Sequence, residues 1–373
     1  MMESALAPAQ EVAFVIPHPY VDALACFREP IKALADEGWH VDLYTLLTPI
    51  HPVPFFGREN VRLIPTDMSR RGTMSLVRAL VTHRPKYRWI VTVPQWGLHV
   101  AAMAARLTGI PMGCISDELR SDAEATTAEQ RKWKARERRA HQRCRWTIAL
   151  TQARADFIRE ENRLGPDHEF FIVPNAPPGP SERLRSRYYQ DVLNLSDGAR
   201  VLLHAGSLWW DSAHTLIDSA RGWPSDWVVV FQGRLAAQAA GWRDSARVRL
   251  SEQVLPAALL NYATSSASIG LAMYDTSRAN NRLMGAASGK VTLYMKNRLP
   301  VIATMGSDFE WLEREGCGLC VSSVEQIPAA ADRICREYDC YASNVQRVFD
   351  EQLDFARRFA PVHARMNGAL GPQ

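Results

Sequence analysis

Pro174-Asn-Ala-Pro-Pro-Gly-Pro180 is the stretch that divides this sequence of 373 residues into two halves. Its four prolines lack the backbone N–H that helices and sheets require, so the stretch is predicted to be a stiff connector. Chain length favours the same division, because single hydrophobic cores stop growing beyond about 250–300 residues. We predict two domains, over 1–176 and 177–340. A C-terminal helix over 341–373 either completes the second domain or crosses back to the first.

Short apolar runs alternate with amphipathic segments on both sides of this connector. Such alternation is typical of repeated βα units and predicts an α/β fold with one parallel, doubly wound sheet in each half. The predicted strands cover 12–17, 41–44, 61–64, 89–93, 111–115, 146–150, 170–173, 200–204, 227–231, 248–250, 269–272, 300–302 and 318–321. The clearest helical periodicity covers 27–37, 97–107, 127–144 and 342–359.

Composition excludes several classes of protein. Apolar residues make up 47% of the chain and charged residues 23%, which is typical of a globular protein rather than a disordered one. The 44 basic and 40 acidic residues nearly balance, so no nucleic-acid partner is predicted. The first residues do not resemble a signal peptide, and no run of about 20 apolar residues occurs. These features predict a cytoplasmic protein.

The seven cysteines are scattered and odd in number, which is typical of a reducing compartment. Only Cys317 and Cys320 have CxxC spacing, and neither a second pair nor histidines at a suitable spacing accompany them. A zinc site needs such additional ligands, so no metal is predicted.

Four segments, in this order, carry a resemblance to a known family. They are the helix 27–37 with Gly38-Trp-His-Val-Asp-Leu-Tyr44, the run 145–157 with Phe171-Ile-Val-Pro-Asn175, Leu202-Leu-His-Ala-Gly-Ser-Leu208, and Ser288-Gly-Lys-Val-Thr-Leu-Tyr-Met-Lys-Asn-Arg-Leu-Pro-Val-Ile302. Together they resemble the GT-B glycosyltransferases, particularly the bacterial family-4-like branch (glycosyl transferases group 1 type), over nearly the whole chain.

The resemblance implies two Rossmann-like domains facing a cleft, the first binding an acceptor and the second a nucleotide-sugar donor. It implies metal-independent transfer of a hexose to the hydroxyl of a glycan, glycolipid or small metabolite, without a cofactor. The chain departs from the family at Leu293, where a glutamate is usual, and its second half lacks the E-x7-E pair of retaining family-4 enzymes. Inversion and retention of configuration therefore both stay open.

The donor diphosphate requires positive charge, and no metal-binding Asp-x-Asp triplet occurs in the sequence. Gly285-Ala-Ala-Ser-Gly-Lys290 offers a helix N-terminus with a cation instead. Ser288 would cap the helix and donate to phosphate, Gly289 would let the backbone approach, and Lys290 would supply charge. The alternatives are an N-capped helix with a surface lysine and an NTPase phosphate loop. The second fits poorly, because one residue between the glycines is missing and Val291 replaces the required hydroxyl residue.

Further donor-binding candidates follow the strands of the second half. Gly206 and Ser207 end its first strand, where open α/β sheets bind ligands. Tyr274 follows a later strand and would stack on a base or ribose. Arg278 and Arg282 lie in the next polar loop and would reach phosphate. The alternatives are a simple strand-to-helix turn at Gly206, packing for Tyr274 and solvation for the arginines.

An inverting enzyme needs a base for the acceptor hydroxyl, which ionises far above neutral pH. Asp117 and Glu118 follow the apolar run 111–115, and the resembling enzymes often carry an acid on this loop. We predict Asp117 as the base, with Glu118 as its substitute. His18, which follows the first strand, is the imidazole candidate. The structural alternative for Asp117 and Glu118 is that they complement the dipole of a helix N-terminus. The structural alternative for His18 is a rigid turn. A retaining enzyme would use these residues only to orient the acceptor.

The densest basic stretch covers 131–146 and includes Trp133 and Trp146. A helix that contacts the inner face of a membrane would have this composition, and so would a solvated helix with one buried edge. We favour the solvated helix, because Glu137 interrupts the charge and apolar residues are few.

Two other functions compete with glycosyl transfer. One is a sugar-nucleotide epimerase or phosphorylase on the same scaffold. The other is a non-catalytic nucleotide- or carbohydrate-binding module, which the missing glutamate at Leu293 favours.

Overall fold

The computed structural model describes residues 10–47, 57–206, 211–224, 226–233, 245–251, 253 and 255–368. It divides the chain into two compact units, Met1–Pro174 with Phe355–Gln373, and Asn175–Asp354.

The first unit is built on a seven-stranded sheet in which all described pairings are parallel. Its strands are β1 (Glu11–Ile16), β2 (His40–Thr45), β3 (Val61–Pro65), β4 (Trp89–Thr92), β5 (Met112–Ser116), β6 (Cys144–Ala149) and β7 (Glu169–Ile172). They lie in the order β3-β2-β1-β4-β5-β6-β7. The helices between them are α1 (Ala25–Asp36), α2 (Arg70–Thr82), α3 (Trp96–Thr108), α4 (Ala128–His141) and α5 (Gln152–Glu161).

The second unit repeats this architecture with six parallel strands. They are β8 (Arg200–Ala205), β9 (Trp227–Gln232), β10 (Val248–Ser251), β11 (Ile269–Ala272), β12 (Val301–Thr304) and β13 (Gly318–Val321), in the order β10-β9-β8-β11-β12-β13. Its helices are α6 (Tyr188–Val192), α7 (Asp211–Ala220), α8 (Ala257–Ser265), α9 (Ala279–Arg282), α10 (Gly289–Lys296), α11 (Glu310–Arg314), α12 (Ile327–Arg336) and α13 (Tyr338–Val348).

All thirteen predicted strands are confirmed, and most of them are short apolar runs buried in a parallel sheet. The edge strands β3, β7 and β10 are only partly buried. Strand order reverses between β1 and β4 in the first sheet, and between β8 and β11 in the second. Such a reversal opens a crevice at the carboxyl ends of the strands, which is where open α/β sheets bind ligands. The two crevices therefore locate the candidate sites.

The C-terminal segment differs from the single helix that its periodicity predicts. Helix α13 belongs to the second unit and runs into a π-helical turn, Phe349–Leu353. After Asp354 the chain starts α14 (Phe355–Asn367), which belongs to the first unit. The indole of Trp89 in β4 donates to the Met366 carbonyl at 3.0 Å and anchors the end of α14.

In the part of the chain that the structure describes, no helix has both the length and the apolar character needed to cross a membrane.

Candidate active site

The position of Lys290 is set by Tyr294, which lies one turn further along α10 on the same face. The Tyr294 ring rests on Gly270 of β11, where a Cβ atom would come within 2.1 Å of the ring. Its hydroxyl accepts a hydrogen bond from the Ala205 N–H at 2.7 Å and donates to the Leu271 carbonyl at 3.1 Å. These contacts fix α10 against β8 and β11, at the reversal of strand order.

Lys290 therefore lies at the carboxyl end of β8. Its Nζ is 3.5 Å from Nε2 of His204 and 4.7 Å from the centroid of the Tyr274 ring. A Cβ atom at Gly206 would lie 3.8 Å from its Cε. The side chain is half-buried rather than fully extended into solvent.

The turn before α10 is held by Ser288. As predicted, this residue caps the helix, and its Oγ accepts a hydrogen bond from the Val291 N–H at 3.3 Å. The same Oγ is 2.7 Å from the hydroxyl of Tyr274. Gly289 is exposed, and a Cβ atom there would lie 3.1 Å from Nδ2 of Asn175. The first turn of α10 is thus rigid, with a bare backbone at Gly289.

Lys290 and His204 are both desolvated, and burial is the main cause of the shift in each pKa. Burial lowers the pKa of Lys290 to about 8. It places the pKa of His204 well below the usual range, and the positive charge of Lys290 adds to this effect. His204 is only 1% exposed, so at neutral pH it is an uncharged ring whose Nε2 accepts from the lysine. An anion that approached this ammonium group would replace part of the hydration that it lacks.

Nδ1 of His204 is a buried nitrogen without a hydrogen-bond partner among the described residues. The ring packs on Phe231 of β9, with centroids 5.3 Å apart. The sequence does not predict a role for His204. The signal is present, since a histidine inside an apolar strand must either find a partner or stay unsatisfied.

Backbone geometry explains the glycines that follow β8 and β9. Gly206 has a φ of +116°, and Gly233, at the end of β9, has a φ of +148°. A Cβ atom at Gly233 would come within 2.3 Å of the Gly206 carbonyl oxygen. Both strands therefore end in bare backbone, and Gly206 lies beside Lys290. Ser207, predicted with Gly206, lies outside the described residues.

The two arginines of the following loop occupy different surroundings from Lys290. Arg278 and Arg282 are both exposed. Arg282 donates to the carbonyls of Thr276 and Ser277, the latter at 2.9 Å, and so braces its own loop. Their predicted contact with phosphate stays a prediction.

In the first unit, Asp117 and Glu118 directly follow β5, as predicted. Asp117 is half-buried and Glu118 is exposed. The pKa of Asp117 is raised to about 7, mainly by burial and also by the negative charge of Glu118, while the positive charge of Arg154 opposes the shift. Arg154 is completely buried and donates to the Asp117 carbonyl at 2.6 Å. The sequence does not predict this role of Arg154, because the residue lies 37 positions away on helix α5.

His18 follows β1 and is held by local contacts. Its Nδ1 accepts a hydrogen bond from the Tyr20 N–H at 3.1 Å, and its ring contacts those of Tyr20 and Phe27. The Thr45 hydroxyl donates to the His18 carbonyl at 2.8 Å. A neutral ring that accepts at Nδ1 carries its proton on Nε2, and it then has no second lone pair for a base. This arrangement favours Asp117 over His18.

Within the residues described, no group of three or more His, Cys, Asp and Glu side chains is placed to hold a metal ion. Cys317, of the CxxC pair, is buried, and Cys320 is half-buried.

Comparisons with known proteins identify the fold. No protein-family profile matches the chain, and no curated protein sequence does. HepE of Anabaena in complex with UDP-glucose is similar in structure, with a TM-score of 0.72 and 14% identity over 95% of this chain and 99% of that one. WaaG, a glycosyltransferase involved in lipopolysaccharide biosynthesis, has a TM-score of 0.69 and 15% identity over 96% and 100% of the two chains.

The sucrose-phosphate synthase of Thermosynechococcus elongatus is also similar, with a TM-score of 0.71 and 16% identity over 96% of this chain and 99% of that one. At such identities these similarities concern the fold alone. They confirm the predicted GT-B architecture, with two parallel sheets flanked by helices.

Proposed function

We propose that this chain is a metal-independent glycosyltransferase that moves a hexose from a nucleoside-diphosphate sugar to an acceptor hydroxyl. The observation that carries the proposal is the position of Lys290 at the carboxyl end of β8, beside Gly206, Tyr274 and Ser288. A diphosphate bound there meets an ammonium group, a hydroxyl and bare backbone. When the glycosidic bond breaks, these groups stabilise the charge that develops on the leaving diphosphate.

The donor base is proposed to be uracil. UDP-glucose is the ligand of HepE, which shares the fold over nearly the whole chain. Tyr274 is the aromatic candidate for the nucleoside, and its ring already packs 5.7 Å from that of Phe309. A thermal-shift screen of nucleoside diphosphates tests the choice, because a ligand that binds only the folded protein raises its melting temperature. We expect UDP to give the largest shift, and an equal or larger shift with GDP or ADP would reject uracil.

Asp117 is proposed as the base that takes the proton of the acceptor hydroxyl in an inverting reaction. A carboxyl group with a pKa near 7 is a stronger base than an ordinary aspartate and is still ionised in part at neutral pH. Glu118 and His18 are the substitutes. If the reaction retains configuration, Asp117 orients the acceptor instead, and the anomeric configuration of the product distinguishes the two cases.

Metal independence is proposed because the charge on the diphosphate is met by Lys290 and the first turn of α10. Turnover should therefore survive treatment with excess EDTA. Loss of turnover in EDTA with recovery on adding magnesium or manganese would reject this part of the proposal.

A non-catalytic nucleotide-binding module is the second candidate, because Leu293 of α10 stands where the resembling enzymes usually have a glutamate. Slow hydrolysis of UDP-glucose by the purified protein, abolished by Lys290→Met, would argue against the binding-only function. Binding of UDP with no hydrolysis or transfer would favour it. The class of acceptor, a cytoplasmic location and a peripheral membrane contact stay predictions from the sequence.

A further inference from the structure

The basic stretch 131–146 forms helix α4 and the start of β6, and its charges divide between two faces. One edge of α4 is buried at Lys134 and Glu137, which form an ion pair of 3.2 Å. Arg138 pairs with Asp122. These cations are neutralised by acids within the fold. Helix α4 is therefore a solvated helix with one buried edge, which is the alternative that the sequence favours.

A second group of arginines, of which only Arg136 is half-buried and the others are exposed, surrounds an open and mostly apolar pocket of about 260 Å³ between α3 and α4. Arg106 comes from α3, Arg136 and Arg139 come from α4, and Arg143 lies just beyond the end of α4. Among the residues described, none of the four forms a salt bridge to a carboxylate. We call this group the arginine pocket.

The contacts of two of these arginines orient their side chains without neutralising them. Arg136 lies over the Trp133 ring, 4.9 Å from its centroid, and Nε of Arg139 donates to the Ala135 carbonyl at 3.1 Å. His99, also in the pocket wall, has its pKa lowered by burial and by the charges of Arg136 and Arg139. The pocket is therefore a region of positive potential.

Complementation of the helix dipole explains only part of this arrangement. Arg106 and Arg139 lie in the last turns of α3 and α4, where cations are favourable. Arg136 lies a turn earlier and Arg143 lies past the helix, yet both line the same pocket. Four like charges around one concavity repel each other, and an anion bound among them would relieve that repulsion.

We propose that the arginine pocket is a binding site for a small, phosphate-bearing molecule, separate from the proposed donor site in the second unit. Guanidinium groups bind phosphate through paired N–H donors, and arginine suits this geometry better than lysine does. The lining also includes Ala102 and Met103, so the bound molecule could place a short apolar portion next to its phosphate.

Inorganic pyrophosphate is the probe, titrated by calorimetry into the full chain carrying Lys290→Met, so that the proposed donor site contributes less to the measured binding. We expect Arg136→Gln with Arg139→Gln to weaken its binding at least about tenfold, because two charge-assisted contacts are lost. Lys132→Gln with Arg145→Gln is the matched control, since it removes two exposed charges of the same stretch outside the pocket. The control should change affinity less than about threefold.

Four results would overturn the proposal. Unchanged binding in the pocket variant would place pyrophosphate elsewhere, and equal weakening in the control would mean unspecific attraction to the basic stretch. Sedimentation with phosphatidylglycerol vesicles, lost in the pocket variant while pyrophosphate binding persists, would assign the arginines to a membrane surface instead. The pocket variant should melt no lower than the parent without ligand, because like-charge repulsion is removed, and a lower melting temperature would indicate a structural role.

Discussion

The carboxyl ends of the two sheets share one strand order but carry opposite chemistry. Strands β3-β2-β1-β4-β5-β6 and β10-β9-β8-β11-β12-β13 correspond one to one, and strand order reverses at the same place in both. The first sheet presents an acid after its fifth strand, and the second presents a lysine on the helix that precedes its fifth strand. The scaffold therefore determines where groups can act, and individual side chains determine what they do.

The carboxyl group of Asp117 and the ammonium group of Lys290 are both desolvated, and desolvation shifts the pKa of each toward neutral pH. Burial raises the pKa of Asp117 to about 7 and lowers that of Lys290 to about 8. The supports differ, because Arg154 binds the main chain of Asp117 whereas His204 accepts from the amine of Lys290 itself. The acid is left able to take up a proton, and the lysine is left as a cation that an anion would stabilise.

The largest expected effect is on turnover, and it separates the role of Asp117 in catalysis from that of Lys290 in binding. Asp117→Asn should lower turnover about 100-fold or more, as is typical for loss of a general base, and should leave the affinity for UDP unchanged. Glu118→Gln is the control, since it removes the exposed neighbouring acid. Steady-state kinetics and calorimetry measure the two quantities. Near-normal turnover in Asp117→Asn, together with a loss of turnover in Glu118→Gln or His18→Gln, would assign the role of general base to Glu118 or His18 instead.

A pH titration should show the lysine in binding. Lys290 is charged below about pH 8, so UDP affinity should fall about tenfold between pH 7 and pH 9. Unfolded lysine titrates near 10.5, so the desolvated ammonium destabilises the empty protein below pH 8, and this destabilisation is removed as pH rises to 10.5. The desolvated carboxylate of Asp117 also destabilises the folded protein. This destabilisation grows between pH 3.8 and about pH 7 and is constant at higher pH.

Lys290→Met is the matched variant for this titration, because it retains most of the side chain without the charge. Its weaker UDP binding should be nearly independent of pH between 7 and 9. The same tenfold decline in Lys290→Met would assign the pH dependence to another group.

The sequence predicts the fold better than it predicts the contacts within the sites. Strands are local apolar runs, and Ser288 caps α10 through residues that are three apart, so both can be predicted from neighbouring residues. His204 and Lys290 are 86 positions apart, and they meet only because Tyr294 fixes α10 against β8. The burial that shifts the pKa of Asp117 likewise depends on distant segments. No local pattern encodes such pairings.

His204→Phe tests whether the histidine supports the charged lysine. The variant keeps a buried ring but removes the acceptor of the Lys290 hydrogen bond, so the lysine should lose its proton more easily. We expect UDP affinity at pH 7 to fall about twofold to tenfold, and the midpoint of the pH dependence to move below 8. His40→Phe, at an exposed histidine of β2, is the control. An unchanged midpoint would leave His204 with a packing role only.

The smallest expected effect concerns the ring over which Lys290 lies. Tyr274→Leu removes the cation–π contact and should weaken UDP binding about twofold to fivefold, since such contacts contribute about 0.5–1 kcal/mol. Tyr274→Phe keeps the ring and loses only the hydroxyl next to Ser288, so its affinity should stay within about twofold of the wild type. Equal losses in both variants would show that the hydroxyl, rather than the ring, matters.

The central claim is that the carboxyl end of the second sheet binds a nucleoside diphosphate through Lys290. The most direct measurement is the calorimetric affinity of UDP at pH 7 for the wild type, for Lys290→Met and for a control, Lys86→Met, at an exposed lysine of the first unit. We predict a loss of about 1.5–3 kcal/mol in binding free energy for Lys290→Met and none for Lys86→Met, with no loss of melting temperature in either empty variant. UDP binding by Lys290→Met as tight as that of the wild type would contradict this account.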